Sequence, residues 1–311
     1  MEVSVTGLGT LRNRVAELSA RNQITERVSE VSVLPIYNMS RTPGGAGLTK
    51  IGSKLIHVEV TGSGSDNVVF VHGLGGTTEF TYPLLLTARL NDSHRCYRYD
   101  LEGHGLSPTK SSSVVSIESY AEDLTALFAH EEYDIRSAVL VAHSMGCLIA
   151  LAFASRHPSL VKKLVLLGPP RFPVPAAAAE AQNKRAAAVR ASGMKACADT
   201  VATAGTAERT KVENPAAVSA VRESLMSQHP EGYAKACAAL GGASNLEVDF
   251  SKLIMPILIV TGDEDKVSPV TACEKLSGML KDATLKVLKG VGHWSVFEDA
   301  AGVGEALRRF L

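Results

Sequence analysis

The chain has 311 residues, 45% of them hydrophobic, and 32 basic and 32 acidic side chains that cancel to a formal net charge of zero. That length carries one large α/β domain or two small ones, with apolar content enough for a sizeable core. The charge balance and the lack of a long basic run argue against nucleic acid or an anionic membrane surface as partner, and no stretch approaches the ~20 consecutive apolar residues of a membrane span.

Five cysteines, Cys96, Cys147, Cys197, Cys237 and Cys273, are scattered, odd in number and without C-x-x-C spacing. Reduced thiols in a cytoplasmic setting are expected, rather than a disulfide frame or a zinc site. The first residues, Met1-Glu2-Val3-Ser4, have neither the basic start nor the apolar core of a secretion signal.

In chain order, residues 1–46 read as an extension. Leu8, Leu11, Val15 and Leu18 fit one helical face, a candidate surface for the core or for a homodimer. Gly44-Gly45-Ala46-Gly47 reads as a flexible break. Leu48 to Ile51 and Leu55 to Val60 flank Gly52-Ser53 as a hairpin. Val68 to Val71 is a short apolar strand running into His72-Gly73-Leu74-Gly75-Gly76, and Arg95 to Tyr99 is another, ending in Asp100-Leu-Glu-Gly-His-Gly-Leu-Ser107. Ile117 to His130 has amphipathic helical spacing, with Glu122 and Asp123 expected on its solvated side. Leu164 to Leu167, Pro256 to Thr261 and Thr284 to Leu288 are later strands, and Val303 to Phe310 a closing helix. Apolar strands alternating with helices predict a mostly parallel sheet covered on both faces.

Between Pro169 and Leu246 the strand signal vanishes. Helices are expected over Ala176 to Ser192, Lys195 to Thr210, Pro215 to His229 and Glu231 to Leu240, with Pro215 placed near a helix start. The domain reading is therefore a core over 47–170 and 246–311, with a helical cap over 171–245.

The run from Val139 to Phe153 carries the chemistry. A β-branched strand turns at His143-Ser144-Met145-Gly146 into a helix, which pushes a serine hydroxyl out of the backbone surface. Ala142 stands where the G-x-S-x-G pattern has its first glycine, a position that needs only a small side chain. A hydroxyl needs a base with a pKa near neutrality, which points to histidine. Of nine histidines, His293 lies in Gly290-Val-Gly-His-Trp294, a loop following the last strand, where α/β proteins place reactive groups. The acid that orients it belongs on another such loop. Gly262-Asp263-Glu264-Asp265 fits, with Asp265 the candidate and Asp263 the alternative, one of them capping the turn. The amides of Met145 and Leu74 are the candidate oxyanion donors, each typically worth ~2.7–4 kcal/mol in a transition state. Gly73, His143 and Trp294 are candidate substrate contacts. His72 and His104 are expected to hold loop backbone, and Cys147 to be a buried small hydrophobe. No cofactor or metal is implied.

These motifs, from the His72 glycine loop through Asp100-x-x-Gly-x-Gly-x-Ser107, the Ser144 elbow and Gly262-x-x-Asp265 to Gly292-His293, resemble in order and spacing the α/β-hydrolase superfamily. The resemblance covers about Leu55 to Leu311. It implies an eight-stranded, mostly parallel sheet flanked by helices, with Ser144, Asp265 and His293 as the triad and Leu74 and Met145 as oxyanion amides. The segment His229 to Leu240 is similar to that of 3-oxoadipate enol-lactonases and related lactone or ester hydrolases. The implied activity is hydrolysis of a small ester or lactone through an acyl-enzyme. Carbon–carbon bond hydrolysis on the same triad and slow-turnover ligand reception are the alternatives. Small dicarboxylate substrates would need a cation, for which Arg171, Lys184, Arg185 and Arg190 are candidates.

Overall fold

The computed structural model describes residues 45–81 and 88–311. The helical face expected on the extension, and with it the candidate homodimer surface, lies outside those residues. Strands β1 (Ala46–Ile51), β2 (Lys54–Thr61), β3 (Asp66–Val71), β4 (His94–Tyr99), β5 (Ala138–His143), β6 (Val161–Leu167), β7 (Ile257–Gly262) and β8 (Ala283–Leu288) form one sheet, in the order β1-β2-β4-β3-β5-β6-β7-β8. The β1–β2 and β2–β4 pairings are antiparallel, and the other five are parallel.

Ten helices accompany the sheet among the described residues. In chain order these are α1 (Ile117–Phe128), α2 (Met145–Arg156), α3 (Ala176–Ser192), α4 (Ala198–Gly205), α5 (Glu208–Glu213), α6 (Pro215–Met226), α7 (Pro230–Gly242), α8 (Val270–Gly278), α9 (Ser295–Glu298) and α10 (Ala300–Phe310). Local chemistry sets their starts. Ser116 and Ser119 exchange side-chain and backbone hydrogen bonds in a capping box before α1, and Asn214 caps α6 with Pro215 at its first position.

The central strands are buried along both faces, and their alternate residues feed two cores. Val69, Val71, Leu140, Leu164 and Ile257 meet α1 and α2 on one face. Val68, Phe70, Val141, Val165 and Leu258 meet α10 and part of the helical segment on the other. That segment, α3 to α7, connects β6 to β7, and α3 lies along α7.

Two expectations change. The helix expected over 195–210 is broken, with Thr206 and Ala207 extended between α4 and α5. Both ends at the break are bound elsewhere: the Gly205 carbonyl accepts the His293 amide at 2.7 Å, and the Ala207 amide donates to Glu298 at 2.8 Å. Asp123 is not solvated. It is buried under Lys54, whose ammonium lies 2.8 Å from it and 2.9 Å from Glu102. Burial pushes its carboxyl up to about 6 despite that cation. Among the described residues, no helix is long and apolar enough to cross a membrane.

Candidate active site

The end of β5 sets the site. Ser144 holds φ 49 and ψ −121, a left-handed conformation that is costly for a residue with a Cβ, in the tight turn between β5 and α2. Gly146 makes that turn possible, since a Cβ there would lie 2.3 Å from the Val71 carbonyl oxygen. Met145 is the first residue of α2, so its amide has no acceptor within the helix.

Ser144, Asp265 and His293 are brought together and are all buried. The Ser144 hydroxyl lies 2.8 Å from His293 Nε2, and His293 Nδ1 lies 2.9 Å from Asp265 Oδ2. A carboxylate only accepts, so Nδ1 carries the hydrogen and Nε2 presents its lone pair to the serine proton. The second oxygen of Asp265 accepts the Val267 and Ser268 amides, both at 2.8 Å. Burial works to raise the Asp265 carboxyl; the charge and hydrogen bond of His293 and the two amides outweigh it and hold it below the usual range. Asp263 stands apart and exposed. It accepts the Gly290 amide at 2.7 Å and pairs with Lys289, anchoring the turn before the His293 loop.

Leu74 and Ser144 line one cavity of ≈360 Å³, together with His143, Trp294 and residues of α3 and α4. His143 Nε2 donates to the His293 carbonyl at 3.0 Å, and its ring lies 5.6 Å from that of Trp294. Burial first, then the neighbouring His293, lowers the His143 pKa to about 3, so it is neutral at pH 7. Gly73 does not line the cavity. It backs Ser144, and a Cβ on it would fall 2.8 Å from the serine Cβ.

The loops around Ser144 are cross-tied. His72 accepts the Leu101 amide on Nε2 and donates from Nδ1 to the Gly73 carbonyl. Asp100 accepts the Thr78 and Leu106 amides at 2.7 and 2.8 Å. His104 makes no ring hydrogen bond among the described residues and packs edge-on against His72 instead. The helical segment is bound to the same loops: Ser224 and Gln228 both donate to the Gly75 carbonyl.

Two site residues escape a sequence reading. Gly168, at the end of β6 with φ +54, lies beside the acid–imidazole pair, and a Cβ there would come within 3.2 Å of both Asp265 Oδ2 and His293 Nδ1. Its signal is a glycine directly after an apolar strand. Buried Glu298 collects the amides of Gly292, Trp294 and Ala207 and the Thr210 hydroxyl, at 2.7–3.1 Å. It carries no local sequence signal.

All five cysteines are free and buried, and burial pushes the thiols of Cys96, Cys237 and Cys273 up to about 12. Among the described residues, no three His, Cys, Asp or Glu side chains gather so as to hold a metal ion. The arrangement can move a proton from a hydroxyl to an imidazole while a cavity holds a small molecule against that hydroxyl.

Comparison with known proteins agrees with the fold. A stretch of the chain is 37% identical over 114 residues to the probable lysophospholipase BODYGUARD 3 of Arabidopsis thaliana, covering 35% of this chain and 22% of that protein. The chain thus spans about a quarter of the length of the Arabidopsis relatives it matches. It is 28% identical over 259 residues to the putative carbamate hydrolase RutD of Variovorax paradoxus, covering 82% of this chain and 96% of that one. The enol-lactonase structure from Burkholderia xenovorans LB400 superposes with a TM-score of 0.76 at 23% identity, covering 85% of this chain and 99% of that one, and shares the fold. Residues 66–300 match the family of the alpha/beta hydrolase fold, and the chain belongs to that family.

Proposed function

We propose that the chain is a serine hydrolase that cleaves a small carboxylic ester or lactone through an acyl-enzyme. The observation that carries this reading is the continuous line from the Ser144 hydroxyl through both nitrogens of His293 to Asp265, opening on a small cavity. Ser144 Oγ attacks the carbonyl carbon as its proton passes to His293 Nε2. The oxyanion is met by the Met145 and Leu74 amides. Collapse breaks the acyl–oxygen bond, and His293 returns the proton to the departing alkoxide, which stays tethered in a ring-opened lactone. Water then attacks the acyl carbon, giving its proton to His293, and the acid is released as Ser144 Oγ recovers that proton. Asp265 holds the imidazole in the required tautomer and stabilises its protonated form throughout. Five buried free thiols support a reducing compartment, for which we propose the cytoplasm.

The test is turnover of p-nitrophenyl esters, aliphatic lactones and vinylogous diketones by wild type and Ser144→Ala. Ester or lactone turnover near ~10 per second, lost by at least about 10³-fold in a folded Ser144→Ala, is expected. Full activity in that variant overturns the reading. Cleavage of the diketones alone moves it to carbon–carbon bonds, and turnover below about one per minute moves it to a receptor.

A further inference from the structure

The turn that carries Leu74 is held from outside itself. The Gly76 amide donates to the Gly73 carbonyl at 3.0 Å, which makes Leu74 and Gly75 the two corners of a β-turn. Gly75 has φ +79, the positive value that a type II turn requires at its second corner. Three of the four residues from Gly73 to Gly76 are glycine, so the turn has little stiffness of its own. It is gripped on two sides. From the core, His72 Nδ1 donates to the Gly73 carbonyl at 2.8 Å. From the helical segment, Ser224 Oγ on α6 donates to the Gly75 carbonyl at 2.7 Å, and Gln228 Nε2, just past α6, donates to the same oxygen at 3.3 Å.

The two gripped carbonyls are linked in series. A trans peptide is planar, so its carbonyl and its N–H point in opposite directions. The Gly75 carbonyl and the Gly76 amide belong to one such unit, and the Gly73 carbonyl and the Leu74 amide to another. A hydrogen bond into the Gly75 carbonyl therefore fixes the N–H that binds Gly73, and that bond in turn fixes the direction of the Leu74 N–H. The bonds run head to tail, so each polarises the next. Gln228 is buried and makes further ties at this junction. Its Nε2 also donates to the Ser224 carbonyl at 2.7 Å, and its Oε1 accepts the Gly105 amide at 3.2 Å. Neither Ser224 nor Gln228 lines the cavity.

We infer that Ser224 and Gln228 are positioning residues for the oxyanion: acting through two peptide units, they aim the Leu74 amide without touching substrate. This rests on the serine-hydrolase reading, in which that amide meets the tetrahedral oxyanion. Such a donor acts far more in the transition state than in the ground state, and removing one costs about 10²–10³-fold in kcat. Aiming it wrongly costs a fraction of that and leaves substrate binding nearly unchanged.

The test pairs hydrolysis of p-nitrophenyl acetate with inhibition by a tetrahedral mimic, 1,1,1-trifluorobutan-2-one. Ser144 Oγ adds to the ketone carbon, the serine proton passes to His293, and the ketone oxygen becomes the oxyanion. Gln228→Met keeps the length of the side chain and removes its donor. In that variant kcat should fall by about tenfold or more, KM should move by less than about threefold, and Ki for the ketone should rise in proportion to KM/kcat. Ser224→Ala should show the same pattern at about threefold or more, and Ser224→Thr, which retains the hydroxyl, should restore it. Wild-type kcat in folded Gln228→Met and Ser224→Ala overturns the inference, and if turnover still depends on Ser144 the hydrolase reading stands. A loss confined to KM, or one that leaves the ketone Ki unchanged, also overturns it, since that is what a loosened cavity gives. Should Gln228→Met fail to fold, the half-buried Ser224 and its Ala and Thr variants decide alone. Full turnover in Ser144→Ala, or neither turnover nor ketone inhibition in wild type, overturns the hydrolase reading and this inference with it.

Discussion

The backbone amide of His293 donates to the carbonyl of Gly205 at 2.7 Å. The imidazole loop is thereby fastened to the last residue of α4, in the helical segment that walls the cavity. The fastening is doubled by Glu298. Its Oε2 accepts the amides of Gly292 and Ala207 and the Thr210 hydroxyl, and its Oε1 accepts the Trp294 amide. One buried carboxylate thus grips both neighbours of His293 and the start of α5.

That geometry makes Glu298 a positioning residue for His293. In Glu298→Gln a donor NH₂ replaces one acceptor oxygen and faces groups that themselves donate. Stability should fall by about 1–3 kcal/mol, the cost of unsatisfied buried polar groups. If Glu298 also holds the imidazole in place, kcat should fall by about tenfold or more with KM changed far less, since a displaced base weakens the chemical step. Calorimetry with steady-state kinetics at a temperature well below the melting point separates the two effects. Lower stability with unchanged kcat would make Glu298 a structural tie only.

The two acidic residues of the β7 loop give a sharper contrast. Asp265 faces His293 Nδ1 at 2.9 Å, whereas Asp263 binds the Gly290 amide and Lys289. Asp265→Asn can place an NH₂ donor against Nδ1 and so favour the tautomer with its proton on Nε2, facing the serine. A fall of about 10⁴-fold in kcat is expected. Asp263→Asn keeps an acceptor for Gly290, so kcat should change by less than about threefold and stability by ~1 kcal/mol or less. Ester kinetics on the two variants decides it, and a larger loss in the Asp263 variant would reverse the assignment.

What sequence patterns reveal here follows from the range of the interaction concerned. Val68 to Val71, Val139 to His143 and Ile257 to Thr261 read as strands because burial on both faces demands unbroken apolar runs, a purely local pattern. The meeting of Ser144, Asp265 and His293 was legible because each follows the carboxyl end of a parallel strand, and parallel strands deliver those ends to one edge. Glu298 was not legible: its four donors come from residues 4 to 91 positions away. The break at Thr206 has the same origin, since its helix ends are bound by the His293 loop rather than by local breakers. Arg185 was one of four candidate cations in a helical segment, and only packing separates a wall residue from the paired Lys184 and Arg190. Asp123 has the spacing of a solvated helix position, and only the tertiary placement of Lys54 over it shows otherwise.

Asp123 gives a pH dependence whose sign can be worked out. Its folded carboxyl titrates at about 6, against an ordinary value of 3.8, because burial penalises its charge more than Lys54 stabilises it, and the charges of Glu102 and Glu122 add to the penalty. Between those values the unfolded chain has released the proton and the folded chain has kept it. The folded state therefore binds more protons, and stability falls as pH rises through the window, levelling off above about 6. The full effect is no more than about 3 kcal/mol. Asp123→Asn has the same shape and no charge to bury, so it lacks this slope. The variant should gain melting temperature relative to wild type as pH rises from about 4 to about 6, with a constant difference at higher pH. Lys54, whose pKa is raised from 10.5, titrates far outside this window and leaves the sign unchanged. Scanning calorimetry of both proteins at half-unit steps reads the slope directly, and melting curves that stay parallel across the window would show that Asp123 is ionised in the folded protein well below pH 6.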